Sequence, residues 1–290
     1  MAKTVSLVLG SGGARGLVHI GIIRWLTENG YQIKSISGCS IGALIGGVYA
    51  AGKLDEFEKW ITSIDQTDMA MMLDIAWQSN GVFKGDKIIE TLRELIGEVV
   101  IEDLAIPYTA VAANLAQEKE VWLQSGALFD AIRASISLPL FFTPHIIMGE
   151  ALVDGGVLNP VPIAPTFGDK TDITLAVNLG GEPEVLAEKV SVEVIEPVSN
   201  TFHHKITRFI DNLGSSVKNK MSFNFAAYDI ANQAFDAMQS TIARQKLAAY
   251  PADITLEVPR NACGTLQFER SQEMIERGYQ LAKDNLSSQL

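Results

Sequence analysis

The sequence predicts an α/β protein with three layers, in which a mostly parallel central sheet is flanked by helices. Two observations lead to this prediction. Short apolar runs typical of buried strands alternate along the chain with segments whose apolar residues recur at helical spacing. Alternation of this kind is typical of parallel sheets, because a helix usually forms the crossover between two parallel strands.

The predicted strands are short runs rich in Val, Ile and Leu. They are VSLVL (5–9), IKSIS (33–37), YTAVAANL (108–115), ITLAVNL (173–179) and ADITLEV (252–258). Two helices are predicted, one after each of the first two strands. LVHIGIIRWLTENG (17–30) ends in an Asn-Gly stop signal, and IGALIGGVYAAG (41–52) is rich in small residues that allow close packing on a sheet.

Length alone leaves open one large domain or two small ones, and the uninterrupted pattern leads us to expect a single domain over residues 1–290. Of the 290 residues, 47% are hydrophobic and 20% are charged, which supplies enough apolar mass for a sizeable core. No repeat or obvious linker interrupts the pattern. The motifs described below fall within about residues 5–180, and we expect residues 181–290 to be mainly helical.

The charge balance limits the classes of partner. The chain carries 23 Lys and Arg against 34 Asp and Glu, a formal net charge of −11. This balance argues against nucleic acid and against simple electrostatic docking on anionic membranes. The N-terminal apolar stretch is too short for a signal peptide, and no window is apolar for long enough to span a bilayer. With only two cysteines, neither a disulfide framework nor a zinc site is expected, and a cytoplasmic protein is predicted.

The glycine-rich stretch VLGSGGARG (8–16) follows the first predicted strand. A dinucleotide fingerprint would need glycines at its first, third and sixth positions, but counting from Gly10 the sixth residue is Arg15. A phosphate-binding loop would need Lys and then Ser or Thr after its last glycine, whereas Leu17 follows Gly16. What remains is a set of backbone amides facing the start of a helix, which suits a bound or transient anion.

A second motif, Gly38-Cys39-Ser40-Ile41-Gly42, matches the G-x-S-x-G pattern between a predicted strand and a predicted helix. A sharp turn at this point presents the serine hydroxyl outward, and only glycine fits two residues to either side. The pattern therefore makes Ser40 a candidate nucleophile. The alternative is a tight helix N-terminus at which Ser40 is only a cap.

A serine nucleophile needs a base, and the base is usually a histidine. The chain contains four, His19, His145, His203 and His204, and none lies in the final 86 residues, where the common Ser-acid-His order would place it. Asp154, in ALVDGGVLNP, ends an apolar run and precedes two glycines, a position at which open α/β sheets place site residues. The alternative for Asp154 is an ordinary Asp-Gly turn.

Together these pieces resemble one family, the patatin-like phospholipases. The Gly-x-Arg-Gly loop, the G-x-S-x-G turn and the later Asp-Gly-Gly occur in that family's order. RASISLPLFFTP (133–144) is similar to the element that precedes the family's aspartate, and FERSQEMIERGYQLA (268–282) is similar to the closing helix of bacterial members. The resemblance covers about residues 5–180 by motif and the C-terminal part more loosely.

The resemblance implies a lipid acyl hydrolase of the phospholipase A or lysophospholipase type that uses a Ser-Asp dyad and an acyl-enzyme. Ser40 matches the nucleophile and Asp154 matches the base. The residues that match the oxyanion loop are Gly12, Gly13, Arg15 and Gly16. Arg15 is expected to brace the loop rather than to act in the chemistry. Ser11 stands where the family often has another glycine, which leaves the main-chain donors intact. No metal or cofactor is implied.

The implied substrate is an acyl ester of a lipid, and a transient contact with a membrane surface is compatible with it. The Met-rich stretch 68–77 and the polar stretch 200–225 are candidates for a lid or a lipid contact, although Met at helical spacing is more often core. Two alternatives stay open: a non-enzymatic lipid-binding or regulatory adaptor on the same scaffold, and a small-ester esterase with His203 or His204 as base. The sequence leaves the oligomeric state open.

Overall fold

A central β-sheet organises the chain. The computed structural model describes residues 2–65, 68, 85–184 and 225–287. The strands found among these residues are β1 Thr4–Leu9, β2 Gln32–Cys39, β3 Tyr108–Asn114, β4 Lys119–Leu123, β5 His145–Ile147, β6 Glu150–Asp154, β7 Ile173–Gly181 and β8 Ile254–Pro259. Across the sheet their order is β5-β6-β3-β2-β1-β7-β8, and β4 also pairs with β3.

The sheet is parallel at its centre and antiparallel at one edge. β1 runs parallel to β2 and β7, β2 to β3, and β7 to β8. β4 and β6 run antiparallel to β3, and β5 antiparallel to β6. The predicted class, an α/β fold with a mostly parallel sheet flanked by helices, is therefore confirmed. The sequence did not predict β4 and β5, because neither contains a continuous apolar run: no residue of either strand is fully buried.

Helices pack on both faces of this sheet. The α-helices of the described residues are α1 Val18–Glu28, α2 Ile41–Ala50, α3 Leu54–Ser63, α4 Asp86–Ile96, α5 Leu128–Ser135, α6 Phe225–Ala249 and α7 Ser271–Leu286. Side chains alternate along β1: Leu7 and Leu9 enter the main core with α1 and α2, whereas Val8 packs with Ala243 of α6 on the opposite face. None of the helices described is both long enough and apolar enough to cross a bilayer.

Several stretches that the sequence singled out lie outside the described residues. They are residues 69–77 of the Met-rich stretch and residues 200–224 of the polar stretch, which includes His203 and His204. The predictions for these residues stay predictions.

The contact between α1 and α7 depends on two glycines. A Cβ atom on Gly21 of α1 would overlap the carbonyl oxygen of Ile275, and a Cβ atom on Gly278 of α7 would overlap the carbonyl oxygen of Val18. Because backbone atoms cannot rotate away, the two helices lie as close as their main chains allow. The last helix of the chain is thereby packed against the first.

We expect Gly21→Ala to lower the free energy of unfolding by about 1–3 kcal/mol, the usual cost of overpacking. Alanine gains about 1 kcal/mol in helix propensity over glycine, so a net loss would show that the close contact outweighs propensity. Gly168→Ala is the control, because a Cβ atom there would meet nothing within 4 Å. Urea unfolding of both variants measures the effect, and equal stabilities would contradict the packing argument.

Candidate active site

Three segments meet at one edge of the sheet. The glycine-rich loop follows β1, the turn at Ser40 follows β2, and Asp154 ends β6. The first two segments leave the carboxyl ends of neighbouring parallel strands, where open α/β sheets place their binding sites. β6 brings Asp154 to the same edge because it pairs with β3, with Asp154 opposite Ala112.

The turn at Ser40 is strained and tightly packed. Ser40 has φ 56° and ψ −124°, a backbone conformation that non-glycine residues rarely adopt, and it directly precedes α2. A Cβ atom on Gly38 would overlap the backbone of Gly42 and Ala43, and one on Gly42 would overlap the carbonyl group of Leu9. Close backbone contacts therefore require glycine on both sides of Ser40, which is the steric reason proposed from the sequence.

Ser135, at the end of α5, holds this turn in place. Its hydroxyl accepts a hydrogen bond from the amide of Ser40 (2.9 Å) and donates one to the carbonyl of Val111 in β3 (2.6 Å). The side chain is fully buried. Sequence reasoning missed this residue. The only signal was the Ala-Ser pair near the start of the family-like element RASISLPLFFTP, and that pattern does not say which group the Ser135 hydroxyl bonds.

Asp154 lies beside Ser40 in the interior, only 1% exposed. Its carboxylate accepts hydrogen bonds from the amide of Gly156 (2.7 Å) and from the thiol of Cys39 (3.8 Å), and the Ser40 hydroxyl is near enough to lower its pKa. The structure thus brings together the two residues that the sequence selected as nucleophile and base, although they are far apart in the chain.

Burial sets the acid–base properties of this pair. Loss of water raises the pKa of Asp154 from 3.8 to about 6, and the hydrogen bonds from Ser40, Gly156 and Cys39 hold the pKa below a still higher value. Burial and the nearby charge of Asp154 raise the pKa of the Cys39 thiol well above its usual range. At neutral pH the carboxyl group is therefore ionised and the thiol keeps its proton.

Most amides of the glycine-rich loop are occupied by distant carbonyl groups. The amide of Gly10 donates to the carbonyl of Val177 (3.1 Å), that of Ser11 to Pro160 (2.8 Å) and that of Ala14 to Thr265 (2.8 Å). The amides of Gly12 and Gly13 differ, because no acceptor among the described residues bonds them. Gly13 has φ 58°, and a Cβ atom on it would overlap the carbonyl oxygen of Thr265. Within the described part of the chain, the loop therefore presents two unpaired donors from a main chain held by close contacts.

Arg15 of this loop contacts two elements outside it. Its guanidinium, almost fully buried, donates to the carboxylate of Asp236 in α6 (3.0 Å) and to the carbonyl of Arg260 after β8 (3.2 Å). Gly16 lies close to Ile41, because a Cβ atom on Gly16 would overlap the Ile41 side chain. Arg15 and Gly16 thus hold the loop against its neighbours.

Neither described histidine contacts Ser40. The imidazole of His19 is buried and donates from Nε2 to the carbonyl of Gly10 (3.0 Å), and burial lowers its pKa to about 4, so the ring is neutral. His145, at the start of β5, lies 3.8 Å from the carboxylate of Asp130. In the described part of the chain, no three His, Cys, Asp or Glu side chains are placed to hold a metal ion.

An apolar cavity of about 120 Å³ opens at Ser40 and Gly13. Its other walls come from α2, α3, α4 and the segment after α5; they include Leu44, Phe57, Ile61, Leu92, Leu138 and Phe141. The segment SLPLFF (137–142), part of RASISLPLFFTP, therefore contributes directly to this wall. The cavity suits a hydrocarbon group, because nearly all of its lining is apolar.

Comparison with protein families gives one match. A family model described as patatin-like phospholipase matches residues 7–167, more than half of the chain. The matched residues include the glycine-rich loop, the turn at Ser40 and Asp154.

Several proteins are similar in sequence. An uncharacterized NTE family protein of Mycobacterium tuberculosis is 38% identical over 98% of this chain and 91% of its own length. Lysophospholipase NTE1 of Coccidioides immitis is 27% identical over 98% of this chain but only 18% of its own length. Patatin-like phospholipase domain-containing protein 6 of Mus musculus is 32% identical over 63% of this chain and 14% of its own length. The chain thus spans a small part of these two larger proteins.

The buried carboxylate makes stability depend on pH. The pKa of Asp154 is higher in the folded state, at about 6, than its ordinary value of 3.8. Its contribution to stability is complete below about pH 4 and is lost as the pH rises through 6. We therefore expect the difference in free energy of unfolding between Asp154→Asn and the wild type to grow by roughly 3 kcal/mol from about pH 4 to about pH 7.

Asp172→Asn is the control with the opposite sign, because the amide and hydroxyl of Thr4 lower the pKa of Asp172. The difference in free energy of unfolding between Asp172→Asn and the wild type should fall, not grow, as the pH rises through the acidic range. Urea unfolding at a series of pH values measures both trends. A flat difference for Asp154→Asn would show that the carboxyl group is not buried as described.

Proposed function

Because the chain belongs to the patatin-like phospholipase family, we propose that it hydrolyses carboxylic ester bonds of lipids, with Ser40 as the nucleophile and Asp154 as the base. The family assignment makes the chain a carboxylic ester hydrolase. The dyad and its acyl-enzyme are the part that we propose from the geometry.

In the first step the Ser40 oxygen attacks the ester carbonyl carbon while Asp154 accepts the hydroxyl proton. The proximity of the Ser40 hydroxyl to the Asp154 carboxylate, which lowers the pKa of that carboxyl, supports this direction of transfer. An exposed aspartate is a weak base for a serine, and burial makes this one stronger. With a pKa of about 6, the carboxyl group of Asp154 is still mostly ionised at neutral pH. The strained turn keeps the Ser40 oxygen pointing outward from the sheet.

The tetrahedral intermediate needs donors for its negative oxygen. The free amides of Gly12 and Gly13 lie on a loop held by Arg15, by His19 and by main-chain hydrogen bonds, so they require little reorganisation. Losing one such donor in other enzymes costs about 3–4 kcal/mol of transition-state stabilisation. The amide of Ser40 is not available for this role, because it bonds Ser135.

Collapse of the intermediate breaks the ester C–O bond, and Asp154 returns its proton to the leaving alcohol. Water then attacks the Ser40 acyl ester with Asp154 again as base, which releases the fatty acid and restores the serine. The apolar cavity at Ser40 would hold the acyl chain during both steps. The sequence-based cytoplasmic location remains a prediction.

One observation carries the proposal: Ser40, beside a buried carboxylate, lines an apolar cavity that Gly13 of the glycine-rich loop also lines. A serine that was only a helix cap would need none of these features. An esterase that uses His19 or His145 is not supported, since both rings have other partners.

We expect Ser40→Ala to abolish labelling by a fluorophosphonate probe and hydrolysis of a lipid ester, because the attacking oxygen is removed. Asp154→Asn should lower hydrolysis by about 10²–10⁴, the usual contribution of a general base. His145→Gln is the control and should stay within about tenfold of the wild type. Circular dichroism checks that each variant folds. Labelling that survives Ser40→Ala, or a loss in His145→Gln as complete as in Ser40→Ala, would refute the Ser-Asp dyad.

Ser135→Ala should lower kcat by about one to two orders of magnitude with little change in KM, because the amide of Ser40 loses its acceptor and the strained turn relaxes. Ser137→Ala is a matched control: its hydroxyl is equally buried but bonds Arg133 instead. Both variants should lose about 1–3 kcal/mol of stability. Steady-state kinetics and urea unfolding separate the two effects, and an equal loss of kcat in both would contradict a specific role for Ser135.

A further inference from the structure

A second apolar groove, of about 470 Å³, lies beside the candidate site. One wall is the segment that follows α5, and the other is α6. The side chains that define it include Leu115, Leu138, Leu140, Ala234, Phe235 and Met238. We call it the α6 groove.

The α6 groove adjoins the site at two residues. Leu138 lines both the α6 groove and the cavity at Ser40, so the two spaces are neighbours. Gly156 also lines the groove, and its amide holds the carboxylate of Asp154 at 2.7 Å. The groove therefore begins on the Asp154 side of the site, and the cavity begins on the Ser40 side.

The lining of the α6 groove defines the chemistry of its ligand. No charged side chain is found among the described residues that line it. Its one amide side chain, Gln239, already donates to the hydroxyl of Ser11 (3.1 Å). Three large apolar side chains at its rim are more than half exposed: Leu140 (62%), Met238 (56%) and Leu115 (51%). Covering such a surface with a hydrocarbon group lowers the free energy, because apolar area is removed from water.

We infer that the α6 groove binds a second alkyl chain of the substrate, the one attached to the leaving alcohol. The inference rests on the proposed function, in which Asp154 returns its proton to the leaving oxygen, so the alcohol part must lie on the Asp154 side. The acyl chain under attack occupies the cavity, and the alcohol part extends past Gly156 into the groove. The substrate class is therefore lipids with two hydrocarbon chains.

A binding experiment tests this inference without turnover. Ser40→Ala protein is titrated by calorimetry with short-chain dialkyl and monoalkyl ether phosphocholines, which have no ester to cleave. We expect the dialkyl ligand to bind at least about tenfold more tightly, because burying about two methylene groups is worth that factor. Adding Ala234→Trp, which fills the groove from an exposed position on α6, should remove this preference and leave monoalkyl binding within about twofold.

Ala237→Trp is the matched control, since Ala237 is also exposed on α6 but does not line the groove. Equal binding of the two ligands, or equal effects of the two tryptophans, would overturn the inference. The titration is repeated with the ligands in neutral vesicles. If Ala234→Trp weakens binding only there, and equally for dialkyl and monoalkyl ligands, the groove is a surface that docks on membranes and the inference is overturned.

A turnover arm compares diacyl and monoacyl phosphocholine esters in the same neutral micelles. Ala234→Trp should lower kcat/KM for the diacyl ester by about tenfold and leave the monoacyl ester within about twofold. A two-chain binding preference without any ester hydrolysis by the wild type would support the groove while overturning the proposed reaction. Hydrolysis of both esters with no effect of Ala234→Trp would support the proposed reaction and overturn the role of the groove.

Discussion

The contact between Gly42 and the carbonyl group of Leu9 is the constraint on which the candidate site depends. Because Gly42 has no side chain, the first turn of α2 lies directly against the end of β1, where a Cβ atom would overlap the carbonyl oxygen of Leu9 and approach that of Gly10. The turn that carries Ser40 and the loop that carries the free amides therefore share one backbone contact. Main-chain atoms have no rotamers, so the proposed nucleophile and oxyanion donors keep one relative position.

Burial and hydrogen bonding balance each other at the carboxylate. An exposed Asp154 would be a weaker base, and a buried one without partners would be protonated more readily. Burial raises its pKa from 3.8 to about 6 against the lowering effect of Ser40, Gly156 and Cys39, which leaves it mostly ionised at neutral pH and about a hundredfold more basic than an exposed aspartate. The same burial costs stability at neutral pH. A similar balance holds at Ser40, whose strained backbone is supported by Ser135.

The C-terminal elements complete a site whose motifs all lie before residue 157. α6 contributes Asp236, which pairs with Arg15, and Gln239, which bonds Ser11. The carbonyl of Thr265, before α7, accepts a hydrogen bond from the amide of Ala14. The glycine-rich loop is therefore held from outside the motif that defines it. The same helix, α6, forms one wall of the groove beside Asp154, so loop position and groove shape depend on how one helix packs.

The sequence by itself determined the alternation of strands and helices and the glycines around Ser40, because each depends on residues only a few positions apart. Asp154 was a candidate that only the family resemblance of the ordered motifs favoured over an ordinary turn. Periodicity reports which face is buried, and a missing Cβ reports a close approach. Only the tertiary structure decided which buried hydroxyl supports Ser40. Ser135 and Ser137 are two positions apart and equally buried, yet one bonds the amide of Ser40, 95 residues away, and the other bonds Arg133. Contacts between remote segments follow from how whole elements pack, and residue types alone carry no record of that packing.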